Sequence, residues 1–396
     1  MNKPSRRSGA NRLPLLGAVV AALVATVASP ATASSGTLTI TGDTKLIRDH
    51  VGNILIAADD VTLDCAGHTV RGPGGGPPHH GIALDGTSGV TVKNCRVTAF
   101  ETGIIVMNWS GPSYGNTLTA NRAYGNVLSG VALLGSSGNT VRSNRALDNG
   151  HSGFILIESS ANDISWNTAR RSGYFGFNLV SSSQNDLEHN VASRNGIRGG
   201  GLGFLIEKDS NDNALLDNVA NNNGKPGYDV GGFTIQASAE NELLRNVANR
   251  NAARGFTVFD STGTVLERNV ANKNGTMGFA LNTSTKNTLR RNTAKGSGGP
   301  GFDVLLSESN TLERNVSSYN GDGGFHVATS SRNAFIGNVA NRNGNVGFDV
   351  YFDSHFDVLS QNAGHRNAIF DARDAGTGNV WQLNCLGTTS GIKPAV

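Results

Sequence analysis

Apolar residues in this chain alternate with polar or small residues in short runs, and turns rich in glycine, asparagine and serine separate the runs. Between residues 278 and 301, Phe279 and Leu281 alternate with small or polar positions, and further short strands are predicted at 288–290 and 293–294. A period of two is typical of a strand with one buried face, and no segment shows the 3.6-residue apolar period of a helix. The pattern predicts three short strands and three turns in each such segment.

The same segment recurs along most of the chain. A glycine followed by phenylalanine or an aliphatic residue marks each copy, and of the ten intervals between these glycines seven are 23 residues and the others 27, 27 and 29. A series of asparagines keeps phase with them. The glycines are Gly103, Gly130, Gly153, Gly176, Gly203, Gly232, Gly255, Gly278, Gly301, Gly324 and Gly347, and the asparagines are Asn144, Asn167, Asn190, Asn218, Asn246, Asn269, Asn292, Asn315 and Asn338. Periods in this range predict a solenoid, because one unit cannot bury its apolar face alone.

Two stretches carry a resemblance to known proteins: S-S-S-Q-N-D-L-E-H-N-V-A-S-R-N-G (181–196) and S-E-S-N-T-L-E-R-N-V-S-S-Y-N-G (307–321). They resemble the repeat of carbohydrate-binding and sugar-hydrolase solenoids and of the nitrous-oxide-reductase copper accessory proteins, and the resemblance covers roughly residues 55 to 385. It implies an all-β fold, a right-handed parallel β-helix with about 23 residues and three strands per coil. It implies little about activity, because one scaffold hosts many functions.

Stacked coils place equivalent residues above one another. The phenylalanines from Phe154 to Phe348 should therefore form an interior column, in which each contributes on the order of 2–3 kcal/mol by burial. Asparagine tolerates a left-handed corner, so we expect the asparagines at such corners, with their amides bonded to the asparagines one coil above and below. Structural roles are favoured over catalytic ones for these asparagines.

The N-terminus predicts export. Basic residues, an apolar run from Leu13 to Ala28 and the sequence Ala31-Thr32-Ala33 predict a secretory signal peptide over 1–33, which leaves one β-helix domain over 34–396. A membrane anchor is the weaker alternative, because the run is shorter than the ~20 residues that span a bilayer.

The charge of the mature chain is balanced. Four of the 33 basic residues and no acidic residue lie in the leader, so 29 basic residues face 30 acidic ones. Nucleic acids and anionic membranes both need a basic surface, and neither is an expected partner. We expect a soluble, secreted monomer.

The chain has three cysteines. Cys65 and Cys95 lie one repeat apart at similar places in their repeats, so a disulfide across adjacent coils is predicted, and export permits it. Cys385 lies about a dozen repeats further on, roughly 55–60 Å away at the ~4.8 Å spacing of strands. It is expected to be unpaired.

Coils that are longer than the others often mark the working face of a solenoid. Insertions occur at 109–114, 197–202 and 224–229, and the last two are predicted to lie on one edge beside the strand that carries Glu207. The candidate substrate-binding residues are Trp109, Arg198, Glu207, Lys225, Tyr228 and Asp229. The alternative is that these are tolerated surface insertions.

The residue after each phenylalanine should point outward. In three consecutive coils it is Asp303, His326 and Asp349, and Tyr351 faces the same way. A histidine between two carboxylates would have a raised pKa suited to acid–base chemistry or to binding a divalent cation, so these four are the candidate catalytic residues. The alternative is a solvated ladder of charges.

These features leave several functions open. The first hypothesis is a secreted β-helix that binds, and modifies, an extracellular polysaccharide in a groove like those of polyuronate lyases and epimerases. The chain has no G-H-G or Asp-Pro-His sequence, so no catalytic residue is carried over from those families and enzyme status stays open. The alternatives are a non-catalytic structural or adhesive surface solenoid and a copper-delivery protein. No cofactor is identified, and only Met107 and Met277 offer thioether ligands to copper in the mature chain.

Overall fold

The computed structural model describes residues 36–73, 79–228 and 231–392. Within them there is no helix, and 46 strands form three parallel sheets. Each strand pairs with the strands three places before and after it along the chain, so three strands and three turns make one coil. The predicted right-handed parallel β-helix is confirmed. The signal peptide predicted for 1–33 lies outside the described residues, and in the described part no helix has the length and apolar character needed to cross a bilayer.

Each sheet contains one strand from every coil, and the strands are numbered in chain order. The first sheet comprises β1 (Leu38–Ile40), β4 (Ile54–Ile56), β7 (His80–Asp85), β10 (Thr102–Met107), β13 (Ser129–Leu134), β16 (Ser152–Ile157), β19 (Phe175–Val180), β22 (Phe204–Glu207), β25 (Phe233–Gln236), β28 (Phe256–Phe259), β31 (Phe279–Asn282), β34 (Phe302–Leu305), β37 (Phe325–Ala328), β40 (Phe348–Val350), β43 (Ala372–Asp374) and β46 (Thr389–Ser390). The second comprises β2 (Thr44–Lys45), β5 (Thr62–Asp64), β8 (Thr91–Lys93), β11 (Thr117–Thr119), β14 (Thr140–Arg142), β17 (Asp163–Ser165), β20 (Asp186–Glu188), β23 (Ala214–Leu216), β26 (Glu242–Leu244), β29 (Val265–Glu267), β32 (Thr288–Arg290), β35 (Thr311–Glu313), β38 (Ala334–Ile336), β41 (Val358–Ser360) and β44 (Val380–Gln382). The third comprises β3 (His50–Val51), β6 (Thr69–Arg71), β9 (Arg96–Thr98), β12 (Arg122–Tyr124), β15 (Arg145–Leu147), β18 (Thr168–Arg170), β21 (Val191–Ser193), β24 (Val219–Asn221), β27 (Val247–Asn249), β30 (Val270–Asn272), β33 (Thr293–Lys295), β36 (Val316–Ser318), β39 (Val339–Asn341), β42 (Ala363–His365) and β45 (Cys385–Leu386).

A column of stacked phenylalanines fills the interior beneath the first sheet, as predicted. Between Phe154 and Phe348, successive ring centroids lie 4.6–4.9 Å apart and the ring planes differ by 3–7°. The rings are fully buried. Because each ring packs on the rings of the two neighbouring coils, burial of apolar area couples every coil to the next.

The glycine before each phenylalanine is required by close packing. A Cβ added to Gly255 would lie 2.6 Å from the carbonyl oxygen of Gly278 and 2.8 Å from the Cβ of Ala271. Neither atom is the end of a flexible side chain, so a larger residue would push the coils apart. This contact explains why the glycine recurs in phase with the phenylalanine.

Buried asparagines form hydrogen-bonded ladders at the corners between sheets. Asn292 donates its backbone N–H to Oδ1 of Asn315 at 2.9 Å, and its Nδ2 donates to the same oxygen at 3.0 Å and to the carbonyl oxygen of Leu266 at 2.8 Å. The predicted bonding between asparagines of adjacent coils is confirmed.

The predicted conformation of these asparagines is wrong. The left-handed residue is the one before the ladder asparagine, as at Arg268 (φ 54°) and Arg291 (φ 57°). The ladder asparagine must point inward to reach its neighbours, whereas the left-handed residue points to solvent. Arginine, tryptophan, histidine and aspartate therefore all occupy this position.

Cys65 and Cys95 form a disulfide between adjacent coils, with sulfurs 2.05 Å apart. Cys385 is exposed and unpaired among the described residues. Both expectations from the sequence are confirmed.

Candidate functional site

The residues that follow the phenylalanines, and the equivalent residues of the coils before and after them, form a column along the outer face of the first sheet, which we call the outer column. Strand pairing joins them in register. The members are Ala83, Ile105, Ala132, Ile155, Asn178, Leu205, Thr234, Thr257, Ala280, Asp303, His326, Asp349 and Arg373. Most of them are buried although they face outward. The column is apolar near its N-terminal end and charged near its C-terminal end.

His326 and Asp303 form a hydrogen-bonded pair in the charged part of the outer column. Nδ1 of His326 lies 2.5 Å from Oδ1 of Asp303, and the two side chains are 26% and 8% exposed. Burial of the imidazole favours its neutral form, but the hydrogen bond to Asp303 and the charges of Asp303, Asp349 and Asp322 outweigh it and raise the pKa of His326. With Nδ1 held by a carboxylate, Nε2 is the nitrogen that can exchange a proton with a ligand.

Asp349 is not bonded to the histidine. Both of its oxygens accept hydrogen bonds from Arg373, from Nε at 2.6 Å and from Nη2 at 2.6 Å. Its side chain is only 5% exposed, so the guanidinium supplies the charge compensation that burial demands. His326 thus lies between the two carboxylates in the register of the sheet, but only Asp303 is hydrogen-bonded to it, and Asp349 acts on the histidine through its charge.

Tyr351 contacts both the His326–Asp303 pair and the Arg373–Asp349 pair. Its ring meets the His326 ring edge to face, with centroids 4.7 Å apart and planes at 76°. The guanidinium carbon of Arg373 lies 5.4 Å from the Tyr351 ring centroid. Asp303, His326, Asp349, Tyr351 and Arg373 are called the His326 cluster below. It combines a titratable imidazole, a phenol and a cation on one face.

Arg373 was missed by sequence reasoning, although a signal existed. It lies opposite Asp349 in the register of the first sheet and so continues the outer column by one coil. Asp371-Ala372 replaces the Gly-Phe step in that coil, and the spacing from Asp349 is one residue longer than the usual repeat. Extending the series of coils beyond Gly347 without requiring a glycine would have identified Arg373 as the next outward-facing residue.

Glu207 lies at the C-terminal end of β22, two residues after Leu205 of the outer column, and is in register with Val180 and Gln236. It is 2% exposed, and its Oε1 has no hydrogen-bond partner in the described part of the chain. Burial raises its pKa to about 7, against the opposing effects of Lys208 and Asn178. Glu207 is therefore a carboxyl group that can carry a proton near neutral pH.

The two long loops are neighbours on one edge, as the sequence predicts. A Cβ on Gly200 would lie 3.2 Å from the ring of Tyr228, and one on Gly196 would lie 3.1 Å from Cα of Gly224. The backbone N–H of Arg198 donates to the carbonyl oxygen of Gly173 at 3.0 Å. Arg198, Lys225 and Tyr228 are exposed.

The candidate binding residues that the structure describes do not lie together in one groove. The 197–202 loop enters the first sheet at the N-terminal end of β22, whereas Glu207 lies at the opposite end of that strand. Trp109 lies several coils away, with its ring centroid 6.3 Å from that of His80. Asp229 lies outside the described residues. The length of β22 separates Glu207 from the 197–202 loop, which the sequence analysis placed beside it.

The chain is similar in fold to known proteins, and one family model matches it. The family model described as "Periplasmic copper-binding protein (NosD)" matches residues 37–232 and 217–384. The A-module of mannuronan C-5 epimerase AlgE4 from Azotobacter vinelandii has a TM-score of 0.53 and 15% identity, over 79% of this chain and 90% of that one. The catalytic unit of a thermostable GH87 α-1,3-glucanase from Streptomyces thermodiastaticus strain HF3-3 has a TM-score of 0.50 and 14% identity, over 74% of this chain and 62% of that one. No curated protein matches the chain. At these identities the solved structures support the fold alone.

Proposed function

This chain belongs to the NosD family of periplasmic copper-binding proteins, and we propose that it is an exported β-helix protein that binds an acidic polysaccharide at the charged end of the outer column and moves protons on its uronate residues. The observation that carries the proposal is the His326–Asp303 pair on an outer face that also holds Tyr351 and Arg373. Export is supported by the disulfide and by the periplasmic description of the family.

The proposed chemistry starts at the carbon next to the uronate carboxylate. Neutral His326 accepts the proton of that carbon at Nε2, and the electron pair of the C–H bond is delocalised into the carboxylate. A proton returned to the opposite face gives the epimer. Departure of the glycosidic oxygen with the electron pair of its bond, and with a proton, gives an unsaturated uronate and a shorter chain instead. Tyr351 is the second proton carrier in reach of the histidine.

The remaining residues of the His326 cluster prepare this step. Asp303 holds the proton on Nδ1 of the histidine, which leaves Nε2 free to act as the base. Arg373 uses Nε and Nη2 for Asp349, and its other N–H groups can bind the substrate carboxylate. A cation at that position stabilises the charge that grows on the carboxylate as the proton leaves.

The family description names copper, and a copper site requires particular donor atoms close together. Copper takes thiolate, thioether and imidazole ligands. Across 36–73, 79–228 and 231–392, no group of three or more histidine, cysteine, aspartate or glutamate residues is placed to hold a metal ion. Met107 is buried in an apolar cluster and Cys385 stands alone. The described residues do not fit a resident copper site, and no step of the proposed chemistry uses one.

The test is incubation of the protein with a panel of polyuronates in deuterated water. We expect deuterium at the carbon next to the carboxylate by NMR, together with either an altered epimer ratio or an unsaturated product. His326→Gln should lower exchange by about a hundredfold or more, as loss of a general base does. His355→Gln is the matched control, because His355 is bonded to Thr377 outside the His326 cluster. Binding without exchange on every polyuronate would refute the proton transfer and favour a non-catalytic solenoid.

A further inference from the structure

The third sheet differs from the other two in its charges. Within the described residues, its strands contain no aspartate or glutamate. The strands of the first sheet contain Asp85, Glu207, Asp303, Asp349 and Asp374, and those of the second contain Asp64, Asp163, Asp186, Glu188, Glu242, Glu267 and Glu313. The cations in the strands of the third sheet are Arg71, Arg96, Arg122, Arg145, Arg170 and Lys295. Balanced charge over the whole chain therefore conceals a segregation between faces.

Three of these arginines stack in one outward-facing column, which we call the arginine ladder. Arg96 pairs with Arg122, and Arg122 pairs with Arg145, in the register of adjacent strands. All three are exposed. Like charges directly opposite one another on a sheet oppose folding. The ladder is therefore an arrangement that folding alone does not favour.

No ion pair neutralises the arginine ladder in the described part of the chain. Elsewhere exposed arginines meet carboxylates on an adjacent coil, as in Arg245 with Asp217 at 2.8 Å. Two carboxylates that feel the charge of the ladder, Asp49 and Asp148, have other hydrogen-bond partners. Asp49 accepts the backbone N–H of Thr69 at 2.8 Å, and Asp148 accepts hydrogen bonds from Nε and Nη2 of Arg171. Asp49 and Asp148 act on Arg96 and Arg122 through their charges only, so in the described residues the guanidinium groups of the ladder keep N–H donors for a ligand.

An aromatic ring lies beside the ladder. The guanidinium carbon of Arg122 is 5.0 Å from the centroid of the Tyr124 ring. In the second outward-facing column of the same sheet, Tyr124 is in register with Thr98 and Leu147, and Arg170 follows one coil later. A half-buried tyrosine ring beside a row of exposed guanidinium groups suits a sugar polymer that carries carboxylates.

We propose that the arginine ladder binds an acidic polysaccharide that runs along the helix axis. Strand spacing sets successive guanidinium groups about 4.8 Å apart. A polyuronate has one carboxylate on every sugar, and each can meet a planar guanidinium group through two parallel hydrogen bonds. The identity of the polymer rests on the proposed function. The ladder itself lies on a different sheet from the His326 cluster, so it would hold the polymer apart from the site of proton transfer.

The test compares two triple variants of the full chain with the same loss of charge. The first is Arg96→Gln with Arg122→Gln and Arg145→Gln. The matched control is Arg245→Gln with Arg314→Gln and Arg332→Gln, because these exposed arginines already have carboxylate partners. Binding of each to a polyuronate and to a neutral glucan is measured by calorimetry over a range of salt concentrations. Thermal melting checks that each variant folds.

We expect the ladder variant to bind the polyuronate about tenfold or more weakly, with a flatter salt dependence, while the control stays within about twofold of the unaltered protein. Neutral glucan should bind weakly to all three. Unchanged polyuronate binding in the ladder variant, or an equal loss in the control, would overturn the proposal. So would binding of duplex DNA or of anionic lipid vesicles to the ladder as tightly as the polyuronate.

The two proposals fail in different ways. Ladder-dependent binding without proton exchange in the unaltered protein would leave the ladder standing and refute the proposed chemistry. Exchange on short uronate oligomers that persists in the ladder variant, with unchanged polymer binding, would refute the ladder and leave the chemistry standing. His326→Gln should keep full polymer binding to the ladder.

Discussion

Nδ1 of His326 lies 2.5 Å from Oδ1 of Asp303, although 23 residues separate them along the chain. The two occupy the same position in adjacent coils, so strand pairing alone sets their distance. Because neither side chain depends on a loop for its position, the pair is held by the most regular part of the fold. Such rigidity suits a group whose proton must stay on one nitrogen.

Replacing Asp303 should lower the pKa of His326. The pKa is raised in the unaltered protein because the hydrogen bond to Asp303 and the nearby negative charges outweigh burial. Asp303→Asn removes one charge and weakens that bond, so the imidazole should lose its proton at a lower pH. NMR titration of the His326 ring measures this shift directly. Asp353→Asn, outside the cluster, should leave it unchanged, and an unshifted titration in Asp303→Asn would contradict the role given to that carboxylate.

Loss of Arg373 should destabilise the C-terminal coils. Arg373→Gln leaves the carboxylate of Asp349 buried without its two charged hydrogen bonds. Because the guanidinium is 37% exposed, we expect a cost of about 1–2 kcal/mol, below that of a fully buried pair. Urea unfolding measures it. Adding Asp349→Asn should recover much of the loss, and no recovery would mean that Arg373 acts through packing instead.

The architecture could be predicted from the sequence because each coil repeats the same physical requirement. Glycine must recur where Gly255 approaches the next coil, and phenylalanine must recur to fill the interior. Such requirements leave a fixed period in the sequence. The corner conformation could not be predicted in the same way. The left-handed residue, such as Arg291, has no preference of its own for that conformation and adopts it because the next residue, Asn292, must point inward.

The candidate site was predictable only where it followed the period. Asp303, His326 and Asp349 occupy equivalent positions in regular coils, whereas Arg373 lies where the Gly-Phe step is lost. The 197–202 loop precedes β22 and Glu207 ends it, so the length of the strand separates two groups that the sequence analysis placed in one groove. That the described strands of the third sheet contain no aspartate or glutamate becomes apparent only after each strand is assigned to its sheet.

Gly255→Ala should be strongly destabilising for a change of one methyl group. The added Cβ would lie 2.6 Å from a backbone oxygen of the next coil, which cannot move without disturbing strand pairing. We expect a loss of about 2–3 kcal/mol in urea unfolding, as for other overpacked cores. Gly42→Ala is the control, because no atom lies within 4 Å of its added Cβ. Equal effects of the two changes would show that backbone freedom, not contact, is the cause.

Asp357 occupies a ladder position that asparagine fills in neighbouring coils. Its Oδ1 accepts the backbone N–H and Nδ2 of Asn333 at 2.8 and 3.1 Å, but its buried Oδ2 has no partner among the described residues. At the equivalent place Asn333 donates Nδ2 to the carbonyl oxygen of Ser307 at 3.1 Å. An ionised Asp357 cannot make that bond, and a protonated one can.

Asp357→Asn should therefore stabilise the protein at neutral pH. Burial raises the pKa of Asp357 to about 6 in the folded state, above its value in the unfolded chain. Because the folded state then binds more protons than the unfolded chain, the contribution of Asp357 to stability is fully present below about pH 4. It is lost as the pH rises through about 6. At about 1.4 kcal/mol per pKa unit, asparagine should recover up to about 3 kcal/mol at pH 7. Thermal melting between pH 4 and 8 measures both the gain and its disappearance in acid.

Asp353→Asn supplies the opposite control for this prediction. The side chain and backbone N–H of Thr329 donate to Asp353 and lower its pKa, so its contribution to stability is present above about pH 4 and is lost in acid. Its replacement should lower the melting temperature at pH 7, whereas Asp357→Asn should raise it. If Asp357→Asn lowers the melting temperature at pH 7, as Asp353→Asn should, the buried carboxylate of Asp357 is not the destabilising group that its unpartnered Oδ2 implies.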